Sequence, residues 1–315
     1  MLFQLIKRTA TFVVTLVVAS VLIFAFMWVL PGDPAQVALG IGATQEAVAE
    51  LQARFGTDQP LVQQYLRWVS GLPTGDFGRS YVTGALIGPQ IVDRLLVTLW
   101  LVVTGMVIAL LLAVPVGTLA AVRHRRVSGV VLSGLSQVGI AIPSFLAGIL
   151  LIAVFAVQLR LLPAGGWVPP NRDPGAFVRG LVLPALSLGL IEGAVLARYV
   201  RSTVLNVMRE DFLRTARAKG LRPYQALVRH GLRNAAVPVV TVLGLQLAVL
   251  MVGAVVVERV FVIPGLGSLL LDGVANRDLL LVQGVVMVLT LAVLLINYLV
   301  DVMYTLLDPR LRATT

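Results

Sequence analysis

The stretch "LLVTLWLVVTGMVIALLLAVPVGTLAAV", residues 95–122, contains no charged residue. A helix needs about 20 predominantly apolar residues to cross the hydrocarbon core of a bilayer. A backbone inside that core must also satisfy its own hydrogen bonds, and a helix does so within one segment. We therefore predict that residues 95–122 form a transmembrane helix, which Pro115 kinks.

Five further apolar runs have the length of a membrane span. They occupy residues 9–30, 129–158, 181–204, 236–257 and 281–306. Pro143 predicts a kink in the second of these runs. The chain is 58% hydrophobic and 13% charged, whereas soluble domains are about 45–50% apolar and about 25% charged. The sequence thus predicts an all-α polytopic membrane protein with six transmembrane helices.

Charged residues are distributed unevenly between the segments that connect these spans. Sixteen of the 25 lysines and arginines fall in four segments, 1–8, 123–128, 198–235 and 307–315. Ten of the 15 acidic residues fall in the other connecting segments. Because segments rich in Lys and Arg stay in the cytoplasm, both termini are predicted to be cytoplasmic. The net charge of +10 follows from this topology and indicates no nucleic-acid partner.

The same topology predicts how the chain is organised. Residues 1–30 hold the cytoplasmic N-terminus and the first span, and residues 31–94 form an extracytoplasmic helical insertion. Residues 95–306 hold five more spans with a cytoplasmic loop at 205–235, and residues 307–315 form a cytoplasmic tail.

The insertion is long enough to contain helices of its own. Thr44 is an N-cap residue for a helix that ends near Phe55. Asp58, followed by Pro60, is expected to begin another helix. The apolar face of that second helix is predicted to consist of Val62, Leu66 and Val69.

Several kinds of chemistry are excluded by what the sequence lacks. A phosphate-binding P-loop reads G-x-x-x-x-G-K-[ST], and neither of the two lysines, Lys7 and Lys219, lies in such a pattern. The two histidines, His124 and His230, lie in predicted cytoplasmic segments and cannot serve a hydrolase or zinc protease inside the membrane. The chain has no cysteine. The sequence therefore predicts neither an enzyme nor a metal site.

Polar side chains at membrane depth are costly, so each is a candidate functional residue. Glu192 lies near the middle of the fourth span, between Gly189 and Gly193, whose spacing allows a close helix approach. It is either a contact for substrate or protons, or an acid buried at a helix interface. Two polar stripes are candidates for the wall of a translocation path, or for interhelical hydrogen bonding. They are Gln283, Thr290 and Asn297 in the sixth span, and Ser133, Gln137 and Ser144 on a common face of the third.

The loop at 205–235 is too regular to be a passive connection. Asp211 stands where an acid favours the start of a helix, and Gly220 is placed to end that helix. Pro223 suits the first turn of a second helix. The pattern predicts two short helices with a glycine corner, or alternatively an amphipathic loop attracted to anionic lipid.

Residues 211–240, "DFLRTARAKGLRPYQALVRHGLRNAAVPVV", resemble the cytoplasmic loop of ABC importer permeases. That loop carries the pattern E-A-A-x-x-x-G, and Arg214, Thr215 and Ala216 stand at its first three positions and Gly220 at its last. The chain departs from the pattern at Arg214, where glutamate is usual. Other stretches resemble the dipeptide/oligopeptide/nickel branch, the DppB/OppB type: "LPGDPA" (30–35), "GDFGRS" (75–80), "PALSLGL" (184–190), "ERVFVIPGLGSLL" (258–270) and "LLDPRLR" (306–312).

This resemblance implies a type I ABC importer permease fold and a peptide-importing subunit in a prokaryotic inner membrane. Its partners would be a second homologous permease, two cytoplasmic ATPase subunits or one fused ATPase, and an extracytoplasmic substrate-binding protein. ATP and magnesium would bind to the ATPase partners, and this chain would hold no cofactor. The loop would be a coupling helix that docks on the ATPase. The residues implied are Asp211, Phe212, Arg214, Thr215, Ala216, Arg217, Ala218, Lys219, Gly220 and Leu221.

An alternative function is an ion-coupled secondary transporter or channel that needs no ATPase. Such a protein is expected to contain paired buried charges or repeated broken helices. Glu192 is the one residue that favours this alternative.

Overall fold

The computed structural model describes residues 2–29, 33–40 and 42–307, which fold into thirteen α-helices without an extended strand. A π-helical segment, Ile152–Gln158, continues α7, and another, Leu227–Gly231, joins α10 to α11. The helices are α1 (Leu2–Val29), α2 (Pro34–Leu39), α3 (Gln45–Phe55), α4 (Leu61–Gly71), α5 (Ile87–Val122), α6 (Val127–Ala141), α7 (Ser144–Leu151), α8 (Pro174–Val207), α9 (Asp211–Ala218), α10 (Pro223–Ala226), α11 (Leu232–Val260), α12 (Leu266–Ala275) and α13 (Leu279–Leu307).

Five of these helices are long and apolar enough to cross a membrane: α1, α5, α8, α11 and α13. A sixth span results if α6 and α7, with its π-helical extension, count as one. The predicted all-α class and its apolar segments are confirmed. Helix α8 starts at Pro174, earlier than the predicted 181, because the Asp173 carboxylate caps it by accepting from the Ala176 N–H at 2.9 Å.

The third predicted span is broken and not merely kinked. Helices α6 and α7 differ in direction by 99°. Ile142 between them is extended (φ −93°, ψ 123°), since the residue before a proline is disfavoured in the helical region. Pro143 likewise precedes α7 in an extended conformation. Ser144 therefore lies beyond the break, and the predicted common face with Ser133 and Gln137 is wrong.

Contacts divide the chain into two compact units. The larger unit comprises Leu99–Ile263 and the chain from Ile296, and the smaller comprises Leu2–Thr98 and Pro264–Leu295. Within the larger unit, α8 contacts α6, α7 and α11. Helix α8 buries residues around most of its circumference. Its sequence accordingly carries apolar or small residues on nearly every face.

The smaller unit has its own apolar core, formed where α5, α12 and α13 meet. Its buried residues are Ile87, Ile91, Leu266, Leu269, Leu281 and Val285. The Thr98 hydroxyl oxygen accepts a hydrogen bond from the Leu266 N–H at 2.9 Å, which satisfies one free donor at the start of α12. Described residues of the insertion 31–94 and residues 264–280 of the segment 258–280, both predicted to be extracytoplasmic, thus contribute to one folded unit.

The insertion contains the helix predicted after Thr44. The Thr44 hydroxyl accepts a hydrogen bond from the Ala47 N–H at 3.3 Å, and α3 ends at Phe55 as expected. Asp33 caps a helix that the sequence analysis missed, α2, by accepting from the Ala35 N–H at 2.8 Å. The tail 308–315 and residues 30–32 of "LPGDPA" lie outside the described residues.

Helix α4 begins after Pro60, and Asp58 was wrongly predicted to begin it. The predicted apolar face was also wrong, because Val62 and Leu66 are exposed. The face that packs on α1 carries Tyr65 and Trp68 instead. Aromatic rings bury more surface than aliphatic side chains and form specific edge and stacked contacts.

These aromatic contacts are well defined. The Tyr65 hydroxyl lies 2.9 Å from the Ser20 hydroxyl of α1. The Phe24 ring packs edge-on against Tyr65 at 5.5 Å and stacks on Trp68 at 6.3 Å. The insertion is therefore attached to the C-terminal half of α1.

Candidate functional site

Helix α9 carries most of the residues assigned by family resemblance to the ATPase contact. Asp211 opens the helix, and its carboxylate lies 3.3 Å from the Arg214 guanidinium on the exposed surface. The helix ends at the predicted glycine: Gly220 has φ +93°, and its N–H donates to the Arg217 carbonyl at 2.9 Å. The predicted start and stop of this helix are confirmed.

One face of α9 is buried and the other is free to meet a partner. Leu213 and Ala216 are buried, at 3% and 8% exposure. A Cβ at Gly231 would lie 3.3 Å from the Leu213 side chain, so Leu213 packs on the π-helical segment Leu227–Gly231. The exposed residues are Asp211, Phe212, Arg214, Thr215, Arg217, Ala218, Lys219 and Gly220, and Leu221 is half-buried.

Leu213 is a residue that the sequence analysis missed. Family resemblance pointed to the positions on either side of Leu213, whereas the role of Leu213 is to anchor the helix. Its spacing of three from Ala216 is the ordinary signal of a helix face turned towards a core. That spacing, in an otherwise polar helix, could have identified the anchor.

The second predicted short helix of the loop is not a separate element. The helix that starts at Pro223 continues through the π-helical segment into α11. A π-turn holds one extra residue without ending the helix. No helix-breaking residue with positive φ lies between Gly220 and α11. Helix α9 therefore packs directly on an extension of the membrane-spanning helix α11, and the cytoplasmic location of both stays a prediction.

Glu192 is a buried acid at a helix interface in the larger unit. It is 8% exposed, and its carboxylate accepts a hydrogen bond from the Gln246 amide of α11 at 2.9 Å. Its flanking glycines allow the predicted close packing. A Cβ at Gly189 would lie 2.6 Å from Ile108 of α5, and one at Gly193 would lie 3.3 Å from Leu112.

We expect Glu192 to stabilise this interface. Glu192→Leu should reduce the free energy of unfolding by about 1–3 kcal/mol, because the Gln246 amide loses its buried partner. Thermal unfolding of the purified protein in detergent would show a lower midpoint. Glu192→Gln, the matched control, keeps an acceptor oxygen and should retain stability and transport. Lost transport in a stable Glu192→Gln protein would instead assign Glu192 to transport.

The polar stripe of the sixth span lies on one continuous helix, α13. Gln283 is buried at 6% exposure, and its amide nitrogen has no hydrogen-bond partner among the described residues. Thr290 and Asn297 are half-buried. Their assignment to a translocation path stays a prediction.

The polar residues of the third predicted span are less buried. Gln137 is exposed, and Ser133 and Ser144 are half-buried. The Ser133 hydroxyl donates to the Gly129 carbonyl of its own helix at 2.8 Å. Such a bond satisfies the hydroxyl locally at membrane depth.

A buried carboxylate organises the smaller unit. Asp278, 2% exposed, accepts hydrogen bonds from the Ser80 hydroxyl, from the Tyr81 N–H at 3.3 Å and from the Leu281 N–H at 3.4 Å. Burial, together with the nearby Asp278 charge, raises the pKa of Tyr81 to about 12. Tyr81 is therefore neutral at physiological pH. The described residues contain no group of three or more His, Asp or Glu side chains that could hold a metal ion.

Two family models match this chain. One, described as "Binding-protein-dependent transport system inner membrane component", matches residues 113–313. The other, "Binding-prot-dependent transport system membrane comp, N-term", matches residues 1–102. Together they account for nearly the whole length of the chain.

Curated relatives agree with these models. The chain is 40% identical over 312 residues to the glutathione transport system permease protein GsiC of Escherichia coli strain K12, covering 99% of both chains. The protein of the same name from Salmonella typhi shows the same identity and coverage.

A solved structure shares the fold. It is described as "Crystal structure of an amino acid ABC transporter with histidines", and it matches with a TM-score of 0.53 at 16% identity, covering 70% of this chain and 94% of that one. An ion-coupled transporter acting without an ATPase is not favoured by any of these similarities. The chain belongs to the family of binding-protein-dependent transport system inner membrane components, and it is a multi-pass permease subunit of an ABC importer.

Proposed function

We propose that this permease imports small peptides. The cargo assignment rests on the identity of 40% over 99% of the chain with a glutathione permease, because glutathione is itself a peptide. The proposed complex contains a second homologous permease, two ATPase subunits or one fused ATPase, and an extracytoplasmic substrate-binding protein. The ATPase partners bind ATP and magnesium.

Helix α9 is the proposed connection to the ATPase. Its exposed face is polar and basic, whereas Leu213 fixes the opposite face on a segment continuous with α11. A displacement of α9 is therefore transmitted to a membrane-spanning helix instead of being absorbed by a flexible loop. ATP binding and hydrolysis in the partner would drive alternating access in this way.

The translocation path is proposed to run along the polar positions of the spans. These are Ser133, Gln137 and Ser144 on either side of the broken third span, and Gln283, Thr290 and Asn297 on α13. Glu192 was also a candidate, and its hydrogen bond to Gln246 supports the role of an interface residue. Polar groups lining a path can also bond between helices when no cargo is present.

The smaller unit is the proposed docking surface for the substrate-binding protein. Segments 31–94 and 258–280 both contribute to it, and Asp278 joins them through Ser80 and Tyr81. A surface that must receive a separate protein benefits from such buried hydrogen bonds, because they hold its loops in one arrangement.

Reconstitution tests the proposed function. The permease pair, the ATPase and the binding protein are placed in proteoliposomes, and uptake of a labelled small peptide is measured. We expect uptake only with ATP and with every component present, and no uptake of a sugar of similar size. Peptide uptake by the permeases alone, driven by a proton or sodium gradient, would overturn the proposal.

A further inference from the structure

A cavity of about 260 Å³ lies within the smaller unit. Its walls come from the end of α1, the start of α2, the connection between α3 and α4 together with the first turn of α4, the loop after α4 and the start of α13. Ligand pockets are commonly about 300–1,000 Å³. A space of this size suits one end of a small molecule, or a single amino-acid residue.

The cavity wall is aromatic and apolar on one side. Phe24 and Trp28 contribute from α1, and Leu280 contributes from α13. Phe24 is held in place by its contacts with Tyr65 and Trp68. This wall is therefore ordered before any ligand arrives, and it suits a hydrophobic side chain.

The described residues that line the cavity include one carboxylate and no basic side chain. Asp33 lines it, and the side chain accepts hydrogen bonds from the Ala35 N–H at 2.8 Å and from the Gln52 amide. A carboxylate has about four acceptor positions, so two remain. Arg277 lines a neighbouring cleft that shares Asp33, but no ion pair joins these two side chains.

Gln283 of α13 also lines the cavity. It is 6% exposed, and its amide nitrogen, which has almost no accessible surface, has no hydrogen-bond partner in the part of the chain that the structure describes. An unpaired buried amide donor costs free energy, and a ligand carbonyl would remove that cost. The cavity thus combines an acceptor with negative charge, a free donor and an apolar wall.

We propose that this cavity binds the amino-terminal residue of a short peptide. The ammonium group meets Asp33 and the neighbouring aromatic faces, which attract cations. The Gln283 amide turns towards the cavity so that the first peptide carbonyl accepts from it, and the peptide's first side chain lies against Phe24 and Leu280. The peptide assignment rests on the proposed function. A lipid with a primary amine offers the same ammonium group, but its phosphate would meet the Asp33 charge without a basic residue in the wall.

The test uses the full chain in nanodiscs of phosphatidylcholine and phosphatidylglycerol, which carry no primary amine. Equilibrium dialysis measures the Kd of radiolabelled leucyl-glycine and of its N-acetyl derivative. We expect the free amine to bind about tenfold more tightly than the acetylated peptide. Undetectable binding, or equal binding of the two peptides, would overturn the proposal.

Three variants test whether the peptide binds in this cavity. Asp33→Asn keeps an oxygen for the Ala35 N–H, so α2 stays capped, yet peptide binding should weaken about tenfold. Gln283→Met keeps the length of the side chain and should weaken binding several-fold. Asp76→Asn is the matched control, since Asp76 caps the Gly78 N–H at 2.9 Å in the same unit and lies outside the cavity wall. Equal affinities in all three variants and the native chain would overturn the site.

A second set of nanodiscs contains phosphatidylethanolamine. Unchanged peptide affinity supports the peptide assignment, whereas loss of peptide binding would overturn it in favour of the lipid. Because dialysis uses the chain without partners, failure here leaves ATP-dependent uptake intact. Failure of that uptake, with binding retained, would overturn the proposed function alone.

Discussion

Gly117→Leu will prevent the chain from reaching its folded state. Gly117 lies on α5 against α8, where an added Cβ would fall 2.5 Å from the Ala197 carbonyl oxygen and 2.7 Å from the Val200 Cβ. A backbone oxygen cannot move aside as a flexible side chain can, so the helices would have to separate. Small residues permit such close packing within membranes. The cost is about 3 kcal/mol or more.

The measurement is the yield of monodisperse protein after detergent extraction, determined by fluorescence-detected size-exclusion chromatography. We expect at least a tenfold loss for Gly117→Leu. Gly134→Leu on α6 is the matched control, because nothing lies within 4 Å of a Cβ added there, and its yield should equal that of the native chain. A native yield for Gly117→Leu would show that α5 and α8 do not pack as described.

Gly220→Val will abolish most ATP-dependent uptake while the chain still folds. At φ +93° a β-branched L-residue is strained by about 1–3 kcal/mol. No atom lies within 4 Å of an added Cβ, so the effect is confined to the turn. The turn will relax by changing the direction of α9, and its exposed face, the proposed ATPase contact, will no longer have the required orientation. We expect ATP-dependent uptake to fall at least tenfold.

Folded yield and ATP-driven uptake must be measured together for this variant. Yield should stay close to native, because Leu213 still anchors α9. Gly220→Asn is the matched control, since asparagine tolerates positive φ better than valine and should restore most of the uptake. Native uptake by a well-folded Gly220→Val protein would show that the glycine turn plays no part in coupling.

Predictions from the sequence were correct where the physical cause lies within a single segment or a few neighbouring residues. Uncharged runs of about 20 residues predict spans, because the bilayer demands that length and composition of any helix that crosses it. The helix start at Thr44 and the helix end at Gly220 could likewise be predicted, because each depends on a side chain and backbone within a few residues. Asp211 at the start and Gly220 at the end correctly predicted the helix that became α9.

Predictions from the sequence were wrong where packing between remote segments decides the structure. The face of α4 was predicted from Val62 and Leu66, but Tyr65 and Trp68 pack on α1. A helical period gives the spacing of a face, and the partner helix decides which face is covered. The angle between α6 and α7 at Pro143 also could not be predicted from the sequence, because proline permits a kink but packing sets its angle.

The sequence alone thus determined the membrane class, the approximate positions of the apolar spans and the ends of α3 and α9. Only the tertiary structure placed Asp278 against Ser80, which is 198 positions away. It also placed Leu213 against the π-helical segment Leu227–Gly231 that precedes α11. It also assembled the cavity around Asp33 and Gln283 from five separate parts of the chain. Such contacts depend on distances between remote segments, which no local pattern encodes, whereas the length and polarity of a span are properties of the segment itself.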